Sequence, residues 1–327
     1  MQNKISKLAG LGLLCISQAL FAQEVTMRLA HQYPPAHPVA QSLERFKQAV
    51  EKESEGRIEI QTYGAEQLVK ASQFHMAVAR GEVEAAAVNN FLWGGAVPEM
   101  AALSIPYLLS QPEQMQNFAQ SEAKDLLSEL LQQKGVYPVA WLVDANDAVF
   151  TSSKKLLISP EDFKGTKIRG LSKLTDAGLK ALGASPSAMP GTEVYQSLQT
   201  GVIDAAITGV EAANVRHYYE VQDYAVASPF AAIYSTVVVN PKWWAALSAE
   251  DQQLLEKAAA TIEQQLLPQQ PVNEEAVAAL SEKGMSVHIL TQEEQDQLSA
   301  VMQPAVIEEF KKSSKHADQL IELMQKL

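Results

Sequence analysis

Cysteine is nearly missing: the 327 residues contain one, Cys15. It falls in a stretch that reads as a removable leader. Lys4 and Lys7 are its basic part, Leu8 to Ile16 its apolar part, and Ala19-Leu20-Phe21-Ala22 a cleavage site. Leu14, just before the cysteine, is too large for a lipoprotein site. The alternative is a buried N-terminal helix of a cytoplasmic protein. A cut near Ala22 leaves a mature chain with no cysteine, so disulfides, thiolate nucleophiles and cysteine-ligated metals are excluded from it. Positive charge is also scarce. Lys and Arg number 26 against 38 Asp and Glu, a net charge of −12, which becomes −14 when Lys4 and Lys7 leave with the leader. Nucleic acid and anionic lipid need a basic surface and are not expected as partners. An anionic small ligand is still allowed, because the local field of a cleft outweighs net charge. After the leader no run is long and apolar enough for a membrane helix.

Catalytic signatures are absent as well. No Gly-x-Ser-x-Gly elbow and no phosphate-binding glycine loop occurs. His31 and His37 stand six apart with no carboxylate to complete a site, so no metal is expected. His217 and Glu220 read as the solvated face of a helix rather than an acid–base pair. Nothing assembles into a catalytic set. No enzyme activity and no cofactor are expected.

What is present is a strand–helix grammar. Asp162 to Gly209 holds a short strand, Thr166 to Arg169, then a helix from Lys173 to Leu182 stopped by Gly183. A second helix, Thr192 to Thr200, stops at Gly201, and Val202 to Thr208 is apolar enough for a buried strand. About 120 positions upstream, His75 to Asn89 lines up with Tyr195 to Gly209: a helix ending at Gly, an aliphatic–acidic pair, Ala-Ala, then a polar strand end. In an Ala-rich chain such a repeat can arise by chance. The other reading is two similar α/β lobes with strand ends opposed across a cleft.

The rest of the chain fits the second reading. Val25–His31, Arg57–Tyr63 and the segment ending at Val88 read as strands, with helices at His37–Glu53 and Leu68–Arg80 between them. Val136–Val143, Ala148–Ser152, Val221–Ser228, Ile233–Asn240 and Ser286–Leu290 read as further strands. A helix starts at Ser248 and runs toward Lys283, where Pro268 and Pro271 must kink or break it. Gln292 to Leu327 reads as two amphipathic helices. The expected architecture is α/β, with two doubly wound lobes and a long helix in the C-terminal half. Residues 23–146 plus 234–273 would form lobe I, and 147–233 plus 274–327 lobe II.

Arg169 is the sharpest candidate. Its planar fork matches a carboxylate with two hydrogen bonds, if it faces a cleft rather than solvent. Asn89 and Asn90 offer donor and acceptor together, or form a simple turn. Gln32 and Tyr33 at the first strand end share that ambiguity. Trp93 either walls the cleft or packs in the core.

Asp162–Arg169, Gly183-Ala184-Ser185-Pro186, Met189, Glu193-Val194-Tyr195, Leu198-Gln199-Thr200-Gly201 and Asp204 together resemble the solute receptors of tripartite ATP-independent periplasmic (TRAP) transporters. The likeness extends over Gly56–Ile60, Gln67-Leu68, Gly81–Glu84, Ile105–Leu108 and Pro241–Trp244. It implies a monomeric periplasmic receptor with two lobes, closing on an organic acid and passing it to small and large membrane subunits. It also implies that Arg169 binds the carboxylate and that Gln32, Asn89 and Thr208 line the cleft. Sialate receptors of the family carry a second arginine near Ala148–Val149, Glu where Asn89 stands, an aromatic where Gly191 stands and Asn where Thr208 stands. These departures argue against sialate. With one arginine and with Asp144 and Asp147 nearby, a monocarboxylate with polar substituents is favoured. An aspartate facing the cleft, with Asp147 the candidate, would favour an amino-bearing acid. The rivals are a secreted hydrolase or lyase on a similar scaffold and a receptor that signals rather than transports.

Overall fold

The structure is a computed structural model that describes residues 25–327. The leader, Cys15 and the cut near Ala22 lie outside the described residues. Nine strands form: β1 (Val25–Ala30), β2 (Ile58–Tyr63), β3 (Ala85–Asn89), β4 (Tyr137–Ser152), β5 (Lys167–Gly170), β6 (Ser185–Ala188), β7 (Ala205–Thr208), β8 (Tyr224–Val239) and β9 (Ser286–Ile289). They are hydrogen-bonded in the order β2-β1-β3-β8-β4-β7-β5-β6, with β9 on β8.

The two long strands, β4 and β8, run antiparallel through the middle. The far end of β8, Ser235–Val239, carries β3, and parallel β1 and β2 follow. The far end of β4, Val149–Ser152, carries β7, and parallel β5 and β6 follow. Each half is therefore a parallel sheet of helix-linked strands, closed by an antiparallel strand that comes from the other half. Between them the β4–β8 register slips at Val143/Ala145 and again at Ala145/Asp147. Such irregularities bend a strand.

Side-chain alternation sends residues to opposite faces, and both faces are covered in both halves. In the first half Met27, Leu29, Ile58 and Ile60 meet Leu43 and Phe46 of the Pro38–Glu53 helix, with Leu255 and Ile262 of the Ala249–Gln265 helix. The other face meets Phe118, Leu127 and Leu131. In the second half Phe150, Ile168 and Ile207 pack on Leu179, Leu298 and Met302, while Val149 and Ala206 pack on Val194, Val210 and Leu280. Each large apolar side chain buried this way contributes about 1.5–3 kcal/mol.

Several elements differ from the sequence reading. Four short strands were expected where β4 and β8 each run unbroken. Asp144, Asn146, Asp147 and Pro229 look like breakers, but they sit where the register slips and pairing continues on either side. The Leu68–Arg80 helix shortens to Phe74–Arg80, because Ala65 and Glu66 adopt left-handed backbone just before it. The helix from Ser248 ends at Gln265, and Pro268 and Pro271 lie in the gap before a separate helix, Glu274–Glu282. The longest helix is Gln292–Ser313. Segment 274–327 does not stay with the second half. Val306, Phe310, Leu320 and Met324 enter the first-half core beside Leu103 and Leu127. Among the described residues no helix is long and apolar enough to cross a membrane.

Candidate functional site

β3 and β7, the two strands of the sequence repeat, occupy equivalent places in the two halves. Their ends, Asn89 and Thr208, come to the same region beside the slipped stretch of β4. A cavity of about 30 Å3 lies there between the halves. Gln32, Tyr33, His37, Phe91 and Asp144 line it from one side, and Arg169, Gly191, Thr208 and Arg216 from the other. By volume it admits about one or two waters and no organic acid. A ligand can enter only when the halves separate.

Arg169 ends β5. Alternation puts Ile168 into the apolar core and turns Arg169 to the opposite face. The guanidinium is 2% exposed. Nε and Nη2 donate to the Met189 carbonyl at 3.2 and 3.0 Å, and Nη1 donates to the Ile207 carbonyl at 2.7 Å. Of the five N–H groups of a guanidinium, one on each Nη is left over. Phe91 from the opposite half places its ring 5.8 Å from Cζ, a cation–π contact. Burial pulls the guanidinium down to about 10, against the opposing influence of Tyr218, so it remains charged at neutral pH.

The opposite wall is cross-linked. Asp144 Oδ2 accepts from Asn89 Nδ2 at 2.8 Å and lies 3.0 Å from the Tyr33 hydroxyl. Gln32 Nε2 donates to Asn89 Oδ1. His37 caps the Pro38–Glu53 helix through Nδ1, which accepts from Val39 N at 3.3 Å. That fixes the proton of the neutral ring on Nε2, which faces Asp144 Oδ1 at 3.4 Å. Burial pulls His37 down to about 4, so the ring is neutral at pH 7 despite Asp144. Gln32 Oε1 is buried without a partner.

Five of the expected site residues meet here: Gln32, Tyr33, Arg169 and Thr208 on the lining, and Asn89 directly behind it. Three do not. Asn90 ties Ser104 to β8, donating to Ser104 Oγ at 2.8 Å and accepting from Tyr234 N at 3.1 Å. Trp93 is 1% exposed and packs 5.4 Å from His75 in the first-half core. Asp147 accepts from Val210 N and Asn273 N, pinning the starts of two helices, and its burial pushes its carboxyl up. It lines a neighbouring cavity of about 600 Å3 that also holds Glu211, Glu274 and Glu275 and no basic side chain, a poor place for an anion. The aspartate of the inner cavity is Asp144.

The expectation of a single cleft arginine is also corrected. Arg216 lines the cavity from the end of the Val210–Val215 helix. No motif marks it. The available signal was its place one short helix beyond the β7 strand end. Among the described residues, no group of three or more His, Cys, Asp or Glu side chains is placed to hold a metal ion.

Two α/β halves hinged on shared strands, with a charged cavity between them, define a solute-binding fold. The model of the bacterial extracellular solute-binding proteins, family 7 (DctP), matches residues 29–313. The C4-dicarboxylate-binding periplasmic protein DctP of Rhodobacter capsulatus is 30% identical over 295 residues, 89% of this chain and 88% of its own length. Among solved structures, a TRAP periplasmic solute binding protein from Desulfovibrio salexigens with bound orotic acid gives a TM-score of 0.86 at 24% identity, covering 92% of this chain and 97% of that one. DctP7, a Bordetella pertussis extracytoplasmic solute receptor binding pyroglutamic acid, gives 0.85 at 23% identity, covering 93% and 100%. The chain belongs to the family 7 extracellular solute-binding proteins.

Proposed function

We propose that the protein is a periplasmic receptor that takes a small carboxylate-bearing organic acid between its halves and delivers it to a TRAP-type membrane transporter. The observation that carries this is Arg169. It is buried, held in place by two carbonyls, and has N–H groups left on both Nη atoms with no carboxylate of the protein to meet them. A desolvated cation with a free fork is suited to a carboxylate. Thr208, and Gln32 Oε1 on the other wall, supply further polar contacts. The relatives named above are described as binding organic acids, which supports the same reading. In it the protein catalyses no reaction, acts as a monomer, loses its leader near Ala22 and closes about the slipped stretch of β4 and β8.

A thermal-shift screen over organic acids tests the core of this, since a ligand that binds only the folded state raises its melting point. A hit should lower the radius of gyration in solution scattering. No stabilisation by any carboxylate would overturn the reading. Co-purification of the ligand-loaded protein with small and large membrane subunits tests delivery, and the mass of the exported protein locates the cut.

A further inference from the structure

The six arginines sort by partner. Arg28, Arg57 and Arg80 are ion-paired with Glu84, Glu250 and Asp251, and Glu82. Arg45 is exposed and bonds Gln265 and Ser42. Arg169 and Arg216 are ion-paired with no carboxylate among the described residues, and both line the inner cavity. Arg216 is half-buried, and its guanidinium makes no hydrogen bond to the described residues.

Its position depends on Gly191. A Cβ built there would lie 2.9, 3.0 and 3.1 Å from Arg216 Cζ, Nη1 and Nη2. Near-equal distances to three guanidinium atoms mean that the plane lies flat on the glycine. Gly191 has no left-handed backbone, so its need for a missing side chain is steric and comes from Arg216. Two residues before it, the Met189 carbonyl holds Arg169. One short turn therefore seats both cations.

Across the cavity stands its one acid, Asp144. Oδ2 is engaged by Tyr33 and Asn89, while Oδ1 has only the His37 contact at 3.4 Å, leaving acceptor capacity. The lining thus offers two cations on one wall and one anion on the other. Charges taken out of water have to be matched one for one. A simple monocarboxylate leaves Arg216 without an anion. A simple dicarboxylate serves both arginines but brings two negative charges up to Asp144. A short acid with two carboxylates and one ammonium matches all three.

Building on the carboxylate-receptor reading, we propose that the ligand is an acidic amino acid, with Arg169 and Arg216 each taking one carboxylate and Asp144 taking the ammonium. Gly191 acts as the positioning residue for Arg216.

Calorimetry with two matched sets tests this: L-glutamate, glutarate and 4-aminobutyrate, and L-aspartate, succinate and 3-aminopropanoate. In at least one set the amino diacid should bind about tenfold or more tighter than either deletion. Arg216→Gln should weaken the amino diacid about tenfold and leave the monocarboxylate almost unchanged, because that ligand keeps Arg169. Gly191→Ala should reproduce part of this loss by displacing the guanidinium, with folding checked by melting. Asp144→Asn should reverse the preference toward the plain diacid. If the protein binds organic acids but prefers glutarate or succinate to the amino diacids, or if Arg216→Gln weakens every ligand equally, the amino-diacid assignment is wrong and the receptor reading stands. If no organic acid binds at all, the receptor reading fails first.

Discussion

The two walls of the inner cavity treat their polar groups differently. On the first-half wall Gln32, Tyr33, His37, Asn89 and Asp144 bond or face one another, and Gln32 Oε1 is the one acceptor left over. On the second-half wall Arg169 is braced by main-chain carbonyls and Arg216 by the flat of a glycine, and neither meets an anion. One wall is a finished network that holds shape. The other holds cations in place for something that arrives later. Substitutions on the first should therefore cost stability, and substitutions on the second should cost binding.

The largest effect should follow Arg169→Ala. Losing the fork removes about 2–5 kcal/mol of affinity for a carboxylate ligand. Melting temperature should hold or rise, since a desolvated cation with no matching anion disfavours folding. Paired calorimetry and melting curves check this, and a large loss of stability with intact affinity would erase the contrast between the walls. Arg169→Lys should also bind weakly, because the planar fork is gone.

Acid should act on the first half next. Burial draws both His31 and His37 down to about 4 from an ordinary 6.5. Between those values the unfolded chain binds protons that the folded chain refuses, so stability is full above pH 6.5 and falls as pH drops toward 4. Asp176, which burial pushes up to about 6, works the other way and gains stability as pH falls through that value. Two groups against one leave a net loss of about 2–4 kcal/mol. Melting curves from pH 7 to 4 should show it, and His37→Asn should flatten the slope by about half.

Asn89→Ala should cost about 1–3 kcal/mol of stability, because it strips a buried donor from Asp144 and an acceptor from Gln32. Denaturant titration measures this. If the cost appears only in ligand affinity, Asn89 belongs with the binding wall instead. The smallest effect concerns the rim, where Thr192 Oγ1 of the second half donates to Glu66 Oε1 of the first at 3.1 Å. Thr192→Val should weaken ligand binding by about 0.5 kcal/mol by loosening the closed arrangement. Calorimetry should show that change without a shift in the melting point of the unliganded protein.

Local grammar made much of this legible. The helix–Gly–strand repeat at 75–89 and 195–209 corresponds to β3 and β7 at equivalent places in the halves. Arg169 stood out because a polar residue closes an apolar strand. What stayed hidden depends on long-range packing. Asp144 and Asp147 are three apart, so strand alternation puts them on opposite faces, but the register slips between them hide which face is which. Arg216 is in the cavity because a residue 25 positions earlier has no side chain, and no local pattern carries that. Unbroken β4 and β8 were read as pairs of strands because their polar middles pair only after distant segments meet.

The interleaving of the halves has a consequence for the order in which the chain can become a protein. The first-half core needs β8, which ends at Val239, and then Val306, Phe310, Leu320 and Met324. The second-half core needs Leu298 and Met302. A chain delivered from its N-terminus, whether from a ribosome or through a translocation pore, thus has neither core complete until its last helices are free. During passage it stays threadable, and folding is deferred to the far side, where both halves become able to close within a few dozen residues of each other.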